Sequence, residues 1–578
     1  MNTLNFELFP SNDVSENTVE FKGRFANIDA DKLRGGYYTT PELASWLSSW
    51  AITRKDQLIL EPSCGDGAFL EAAIDRLFEL KADKKNIIQQ LTGVEFNTTE
   101  ALKSSNRVEK KLDTTDSSIV KNSDFFEWWK NNNDKDIDVV VGNPPFIRYQ
   151  TFPEPHRSLA MEIMQSQGLA PNKLTNIWVP FVVAATALLK PGGRLALVLP
   201  AEILQVTYAT QLRSFLTERF KEIEIIACNE LFFENAEQEV ILLLADGALP
   251  KNTKNDDCQV SLIDAHSVNE IISTKPDIFL KRREPKTVKH ENEKWLKYFL
   301  SNKQISLMRN LRDAKICTHL GEHAQVNVGV VTGKNEFFVL SEEQVFELGI
   351  SAYVTPLVSR STQLKGSIVN IKDLEELASK GHRVFLLDIN KERANVISEE
   401  LLKYINFGEE KLHHKGYKCS IRTPWYQVPS IWIPDGFFFR QIYDFPRIVL
   451  NETQATATDT IHRFKSKGAD PKLIIENTYS WLTAASAEIE GRSYGGGVLE
   501  LEPKEAERIL IPKNLAEALP IQEVDKLVRA GKLNTVLEEN SRLILEKSLG
   551  LSKDDCNMLK EIWIRMRDRR NTRKRSKA

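Results

Sequence analysis

Residues 143 to 146 read Asn143-Pro144-Pro145-Phe146 and follow the apolar run Ile137-Asp138-Val139-Val140-Val141-Gly142. A rigid tetrapeptide with one polar side chain therefore stands at the C-terminal mouth of a predicted buried strand, where open α/β sheets bind their ligands. The two prolines fix φ and remove two backbone donors, which leaves carbonyl acceptors without a competing N–H. Asn143 adds a side-chain carbonyl oxygen and Phe146 a flat apolar face. Two acceptors beside an aromatic plate suit an exocyclic amine on a planar heterocycle. A Pro-Pro pair also marks an ordinary strand-ending turn. The weight of the motif therefore rests on the elements around it.

Those elements lie upstream. Residues Leu58 to Leu70 read as an apolar strand, a glycine-rich turn and the start of a helix. The turn carries Glu61, Ser63, Gly65 and Gly67, and glycines with a helix N-terminus let backbone N–H groups approach a ligand. It is not the dinucleotide fingerprint, because Leu70 stands where the third glycine belongs. A second strand, Leu91 to Glu95, ends in a carboxylate suited to a bidentate hold on ribose hydroxyls. A third, Val120 to Phe126, ends in Asp124-Phe125, an acceptor for an adenine amine and a ring to cover it. The spacing leaves one crossover helix each, Gly67 to Leu80 and Thr99 to Leu112. Each acid alone reads as a solvated strand end; their recurrence at successive strand ends points to one site.

The ordered set resembles the gamma class of DNA adenine-N6 methyltransferases of type II restriction–modification systems. Gly35 to Glu42, which includes Tyr38 and Thr39, is similar to the family's N-terminal cofactor motif and opens an amphipathic helix, Glu42 to Trp50. The resemblance implies a Rossmann-like α/β domain with a mostly parallel seven-stranded sheet that binds S-adenosylmethionine. It assigns the methionine-binding loop to Glu61, Ser63, Gly65 and Gly67, the ribose to Glu95, and the adenine to Asp124 and Phe125. Asn143, Pro144, Pro145 and Phe146 resemble the catalytic motif, with Asn143 also at the cofactor. Beyond it, Asn172 to Pro191 reads as a long helix, Gly193 to Pro200 as a buried strand and Val240 to Ala245 as another. Leu231 to Ala236 resembles the motif that supplies a second aromatic to a flipped base, and Phe233 is favoured over Phe232. Val328 to Asn335 resembles the start of the family's target-recognition domain. Arg422 to Tyr426 and Ser493 to Leu499 are similar to its longer members. The implied partners are double-stranded DNA and a separate cognate restriction endonuclease, for an enzyme acting as a monomer in a prokaryotic cytoplasm.

Composition bounds the remainder. At 578 residues the chain exceeds one core. The expected organisation is a flexible leader over 1–20, a catalytic domain over 21–265, a connecting helical segment over 266–315, a mixed α/β target-recognition domain over 316–515, and a helical segment with a basic tail over 516–578. Hydrophobic residues make up 42% and charged residues 27%, an ordinary balance for a water-exposed protein. The longest apolar run, near Trp178 to Leu189, falls short of a bilayer span and contains Pro180. Residues 1 to 20 hold no Lys or Arg, so no secretory leader is expected. Six scattered cysteines without a C-x-x-C pair argue for a reducing compartment and against a zinc site. His413-His414 lacks partners at ligand spacing and reads as a solvated loop. The aromatics of 420 to 450 read as strands packing a core rather than as base contacts. The net charge of −3 does not by itself point to a polyanion, but Arg565 to Lys577 forms a basic run against one acid, Asp568. Such a run is either a solvated tail or a DNA contact.

Three alternatives stand beside the main reading. Asn-Pro-Pro-Phe also resembles methyltransferases of RNA base amines and protein glutamine amides, which usually lack a long C-terminal extension. A catalytically inactive DNA-binding subunit on the same fold is opposed by the intact Asn143, Glu95 and Asp124. A fused restriction–modification enzyme would need a nuclease segment, and none is apparent in the sequence.

Overall fold

The computed structural model describes residues 38–115, 118–172, 175–228, 230, 232, 239–288, 294–390, 397–494 and 497–572. Its N-terminal half is built around strands whose two faces are both apolar. In the strand Ile137–Gly142, Val139 and Val141 enter one hydrophobic cluster while Ile137 and Val140 enter another on the opposite side. A strand of this kind must be covered twice, which a parallel sheet with helices on both faces provides. One cover holds the helices Pro41–Ala51 and Ala68–Glu79; the other holds Phe125–Lys130, His156–Ser166 and Trp178–Ala187.

The sheet comprises β1 (Ile59–Glu61), β2 (Leu91–Glu95), β3 (Val120–Asn122), β4 (Ile137–Gly142), β5 (Leu189–Pro200), β6 (Glu222–Cys228), β7 (Val240–Asp246), β8 (Gln259–Ala265) and β9 (Lys286–Thr287). Their order is β3-β2-β1-β4-β5-β7-β6-β8-β9. Strands β3 through β5 pair in parallel, whereas β7 runs antiparallel to both β5 and β6. The sheet is thus mostly parallel, with two strands beyond the seven expected. β8 adds in parallel to β6, and β9 closes the edge antiparallel to β8. The segment 266–315 consequently contributes a strand as well as helices. The chain moves outward one way from β1 to β3 and the other way from β4 to β5. This reversal opens a crevice past the C-terminal ends of β1 and β4, and Glu61 and Asn143 stand at its two lips.

Local chemistry explains most helix boundaries. Thr40 caps the helix Pro41–Ala51 by accepting from the Leu43 N–H, with Pro41 at its first position. The predicted helix Asn172 to Pro191 is shorter, Trp178–Ala187, and every residue in it is buried. Pro180 lies in its first turn, where a missing N–H breaks no intrahelical bond. The strand expected from Gly193 begins earlier, at Leu189, because Ile137 already pairs with it there.

The C-terminal half carries a five-stranded sheet in the order Ala324–Val328, Ile461–Ser466, Gly436–Phe439, Ile448–Asn451, Ile368–Val369. A four-stranded sheet stands beside it: Val339–Ser341, Arg383–Leu387, Val354–Val358, Thr456–Ala457. As expected for core strands, Phe437, Phe438 and Phe445 are buried, although Tyr443 is exposed. The last helix, Lys553–Thr572, packs along Trp481–Glu490 and places Arg569 on Asp264 of β8 at 2.9 Å. Gln205, just past β5, exchanges two hydrogen bonds with the backbone of Ser493. No helix among the described residues is long and apolar enough to cross a membrane.

Candidate active site

The crevice at the β1–β4 reversal deepens into a cavity of about 350 Å³. Tyr38, Thr39, Glu61, Ser63, Gly65, Glu95, Asp124, Phe125, Asn143 and Pro145 all line it. Pro144 is buried and Phe146 half-buried, wedged between the two core clusters; neither lines this cavity. Gly35 to Tyr37 and Phe233 lie outside the described residues. Phe232 is buried in the core on the side of the helix Pro41–Ala51.

Each wall has a local cause. The loop after β1 turns on Gly65, whose φ of +50° an L side chain rarely adopts. The Gly65 N–H donates to Glu95 Oε2 at 2.9 Å, and the Asn97 N–H donates to Glu95 Oε1 at 2.8 Å. Both oxygens are thereby aimed, and each keeps a lone pair. Burial raises the Glu95 carboxyl above its ordinary value, with the two N–H donors opposing. Asp124 does not end a strand, as the sequence suggested. β3 stops at Asn122, and Asp124 caps the helix Phe125–Lys130, its Oδ1 accepting from the Phe126 and Glu127 N–H groups. Its Oδ2 has no donor among the described residues. Burial again raises this carboxyl.

Glu61 is the most confined acid, only 2% exposed, and its Oε2 has no hydrogen-bond partner among the described residues. Burial first, then the neighbouring Asp66 and Glu95, hold its carboxyl well above the usual range. A buried acceptor left unmatched beside a cavity is costly unless something in the cavity supplies a donor or a positive charge. Across the crevice, Ser63 Oγ donates to the Asn143 carbonyl at 3.2 Å, and Asn143 Nδ2 donates to Thr39 Oγ1 at 3.3 Å. The Thr39 contact orients the amide.

Gly67 does not line the cavity. It starts the helix Ala68–Glu79 at φ +90°, and a Cβ there would lie 2.7 Å from Ser104 Oγ on the helix Thr98–Leu112. Its smallness permits that helix packing. Sequence reasoning missed Phe96, His156, Phe152 and Phe181 on the walls. Phe96 is 61% exposed and meets the His156 ring edge-on, with centroids 5.4 Å apart. His156 Nδ1 lies 3.5 Å from Asp124 Oδ1 and 3.4 Å from Glu127 Oε1. Phe125 is stacked between Phe181 and Trp128. Phe96 directly follows Glu95 and could have been read from the sequence; His156 and Phe181 could not, because only the fold brings their helices to the crevice.

Five carboxylates, Glu61, Asp66, Glu95, Glu100 and Asp124, and six Phe or Tyr rings thus surround one cavity. Such acceptors and rings fit a ligand that combines positive charge, hydroxyls and a planar heterocyclic amine, as S-adenosylmethionine does.

Residues 19–306 match the N-6 DNA Methylase family model, and residues 292–545 match that of the Type II methyltransferase M.Eco57I, C-terminal domain. The type II methyltransferase M.AccI of Acinetobacter calcoaceticus is 24% identical over 528 residues, spanning 88% of this chain and 91% of its own. M.XamI of Xanthomonas campestris pv. amaranthicola, also a type II methyltransferase, is 22% identical over 487 residues, or 83% and 85% of the two chains. The type IIL restriction-modification enzyme MmeI, solved in complex with DNA, shares the fold. Its TM-score is 0.51 at 11% identity, over 91% of this chain and 75% of that one. The two family matches meet where the sheet gives way to the C-terminal half, and the chain belongs to the N6-adenine DNA methyltransferase family of restriction–modification systems.

Proposed function

We propose that this DNA methyltransferase transfers a methyl group from S-adenosylmethionine to the N6 amine of an adenine flipped out of double-stranded DNA. It would act as a monomer in a prokaryotic cytoplasm and protect the site of a separate cognate endonuclease. The observation that carries this reading is the placement of Asn143: one residue past β4, held by Thr39 and Ser63, on the wall of the cavity that Glu61 and Glu95 line.

S-adenosylmethionine, when bound, supplies an electrophilic methyl on a sulfonium. Glu95 would hold the ribose hydroxyls on its remaining lone pairs, Asp124 Oδ2 the adenine amine, and Glu61 the positively charged methionine end. Phe96 would cover the cofactor's ring, and Phe125, its faces held by Phe181 and Trp128, would meet that ring with its edge. At the reacting base, the exocyclic lone pair is delocalised and weakly nucleophilic. The Asn143 side-chain oxygen and the Pro144 carbonyl would each accept one of the amine's hydrogens. That draws the nitrogen toward tetrahedral geometry and localises the lone pair. Acceptors aligned on the developing ammonium contribute roughly 3 kcal/mol apiece when well placed. Phe146 and Phe233 would stack on the base, which must leave the duplex to reach them. Phe232 is committed to the core, which leaves Phe233 as the proposed second ring. The Asn-Pro-Pro-Phe segment contains no cysteine, so the scheme uses no covalent enzyme adduct.

Incubation with methyl-labelled S-adenosylmethionine and duplex DNA carrying many sequences should place the label on adenine N6. Label found on RNA or on a protein glutamine, with none on DNA, would overturn the reading. Asn143→Ala should slow single-turnover methyl transfer by roughly a hundredfold or more, with cofactor affinity nearly kept. An unchanged single-turnover rate would remove Asn143 from the chemistry.

A further inference from the structure

Of the basic run Arg565 to Lys577, residues 573–577 lie outside the described residues, and three of its arginines are engaged by carboxylates. Arg569 pairs with Asp264 at 2.9 Å, and Arg570 pairs with Glu488 at 2.7 Å, both arginines being buried. Arg567 lies 3.0 Å from Asp444. A different cluster remains free of carboxylates. Between Glu410 and Asp435 the chain contains no acid, although acids outnumber Lys and Arg 80 to 77 overall. This stretch holds Lys411, Lys415, Lys418 and Arg422, with His413 and His414.

The structure gathers the three lysines on one exposed turn, formed by His413–Lys415 and Tyr417–Ser420 at the end of the helix Glu399–Glu410. None of the three pairs with a carboxylate among the described residues. Two of the three ammonium groups lie over aromatic rings: Lys411 Nζ is 5.8 Å from the Phe407 centroid and Lys418 Nζ is 5.6 Å from that of Tyr417, itself 75% exposed. The turn is also rigidly seated. Cys419 and Trp425 are buried beneath it, and Arg422 donates to the Thr332 and Val331 carbonyls at 2.7 and 2.6 Å. Two acids near the turn are engaged: Glu409 accepts from Trp425 Nε1 at 3.0 Å, and Glu336 pairs with Lys334 at 3.4 Å. Beyond the Thr332–Asn335 loop opens a cleft lined by Asn335, Arg360, His382 and Arg383, with no carboxylate.

Exposed, unpaired cations on a preorganised turn fit an extended polyanion, with phosphates bound by charge and by Tyr417 and neighbouring polar groups. We propose that the turn of Lys411, Lys415 and Lys418 holds the phosphate backbone of the target duplex. This rests on the methyltransferase reading and adds where the C-terminal half grips its substrate.

The test uses the full chain with Lys411→Ala, Lys415→Ala and Lys418→Ala combined, and a second variant carrying arginine at the same three positions. Binding to a fluorescent DNA duplex is titrated at several salt concentrations. Each phosphate contact contributes about 0.9 to the slope of log affinity against log salt. The alanine variant should therefore show a slope shallower by roughly two to three and affinity at least about tenfold weaker, for cognate and scrambled duplexes alike. The arginine variant should keep the wild-type slope, and cofactor affinity by calorimetry should be unchanged in both. If the alanine variant loses cofactor binding through misfolding, Lys415→Ala alone decides, by a slope shallower by about one. A wild-type slope in a folded alanine variant overturns the proposal, as does wild-type protein that prefers single-stranded RNA to duplex DNA. Failure to methylate adenine, with duplex binding and its slope change intact, would instead sink the catalytic reading and leave this surface standing.

Discussion

At the scale of single residues, the site combines ligand acceptors with a folding liability. Glu61 places a carboxylate in a buried position whose Oε2 no described group satisfies. Its folded carboxyl is held above the ordinary range by burial and by the neighbouring Asp66 and Glu95. Stability from this group is therefore full below the unfolded value, near 4.3, and is lost as pH rises through the folded value. Glutamine at this position does not titrate. Glu61→Gln should thus melt progressively higher than wild type as pH is raised from about 4.3, and the gap should level off above the folded value. The gain amounts to roughly 1.4 kcal/mol per unit of difference between folded and unfolded carboxyls. The same variant should bind S-adenosylmethionine more weakly, because an acceptor for its charged end is gone. Thermal melts across pH, with calorimetry beside them, check both halves; a constant melting gap would mean that Glu61 is not strained in the free protein. His156 shows where residue-scale reading stops. It has no motif of its own, and its role rests on the 5.4 Å ring contact with Phe96 that the fold creates.

At the scale of elements, legibility followed the locality of the signal. The helices expected over Gly67 to Leu80 and Thr99 to Leu112 form as Ala68–Glu79 and Thr98–Leu112, because apolar periodicity and caps such as Asn97 are written in neighbouring residues. Asp124 was legible as a site acid but not as an N-cap; Phe125-Phe126-Glu127-Trp128-Trp129 has aromatics that read as strand, and only burial of all four against Phe181 and its surroundings makes them a helix. β8 and β9 were not legible as parts of the sheet, since pairing across a long connection leaves no local mark. Gly67 shows a role that changed between scales. As a glycine in a turn it read as ligand approach, whereas its added Cβ would meet Ser104 Oγ at 2.7 Å and Ser104 Cα at 3.1 Å. Gly67→Ala should destabilise the fold by about 2 kcal/mol or more, from a left-handed φ cost of roughly 1–2 kcal/mol and the clash. Adding Ser104→Ala removes the hydroxyl but not the backbone contact or the φ penalty, so recovery should be partial. Chemical denaturation of both variants measures this; full recovery would place the cost in the hydroxyl alone.

At the scale of the whole molecule, the two halves share a core and are tied by the C-terminal helix. One hydrophobic cluster runs from Leu60 of β1 to Met566 of the last helix, and that helix anchors on β8 through Arg569 and on the helix Trp481–Glu490 through Arg570. The Arg570–Glu488 pair is the more consequential tie. Both side chains are almost fully buried, at 2% and 3% exposure, and Arg570 Nη1 also donates to the Gly497 carbonyl. Burial raises the Glu488 carboxyl while Arg570 opposes it. Removing the arginine leaves the burial and deletes the compensation, so Arg570→Met should destabilise the protein by about 3–5 kcal/mol. The sign of its pH dependence follows from the same terms. With Arg570 gone the folded Glu488 carboxyl rises further, and its stability contribution is lost as pH climbs through that value, so the deficit should grow from acid toward neutral pH. Arg570→Met with Glu488→Leu leaves no charge to desolvate and should recover most of the loss, with little pH dependence remaining. Denaturant unfolding of the three proteins at two pH values decides the matter. A double variant as unstable as the single one would show that the arginine acts through its stem and the Gly497 carbonyl, and that the helix is held by packing on Trp481 rather than by the buried pair.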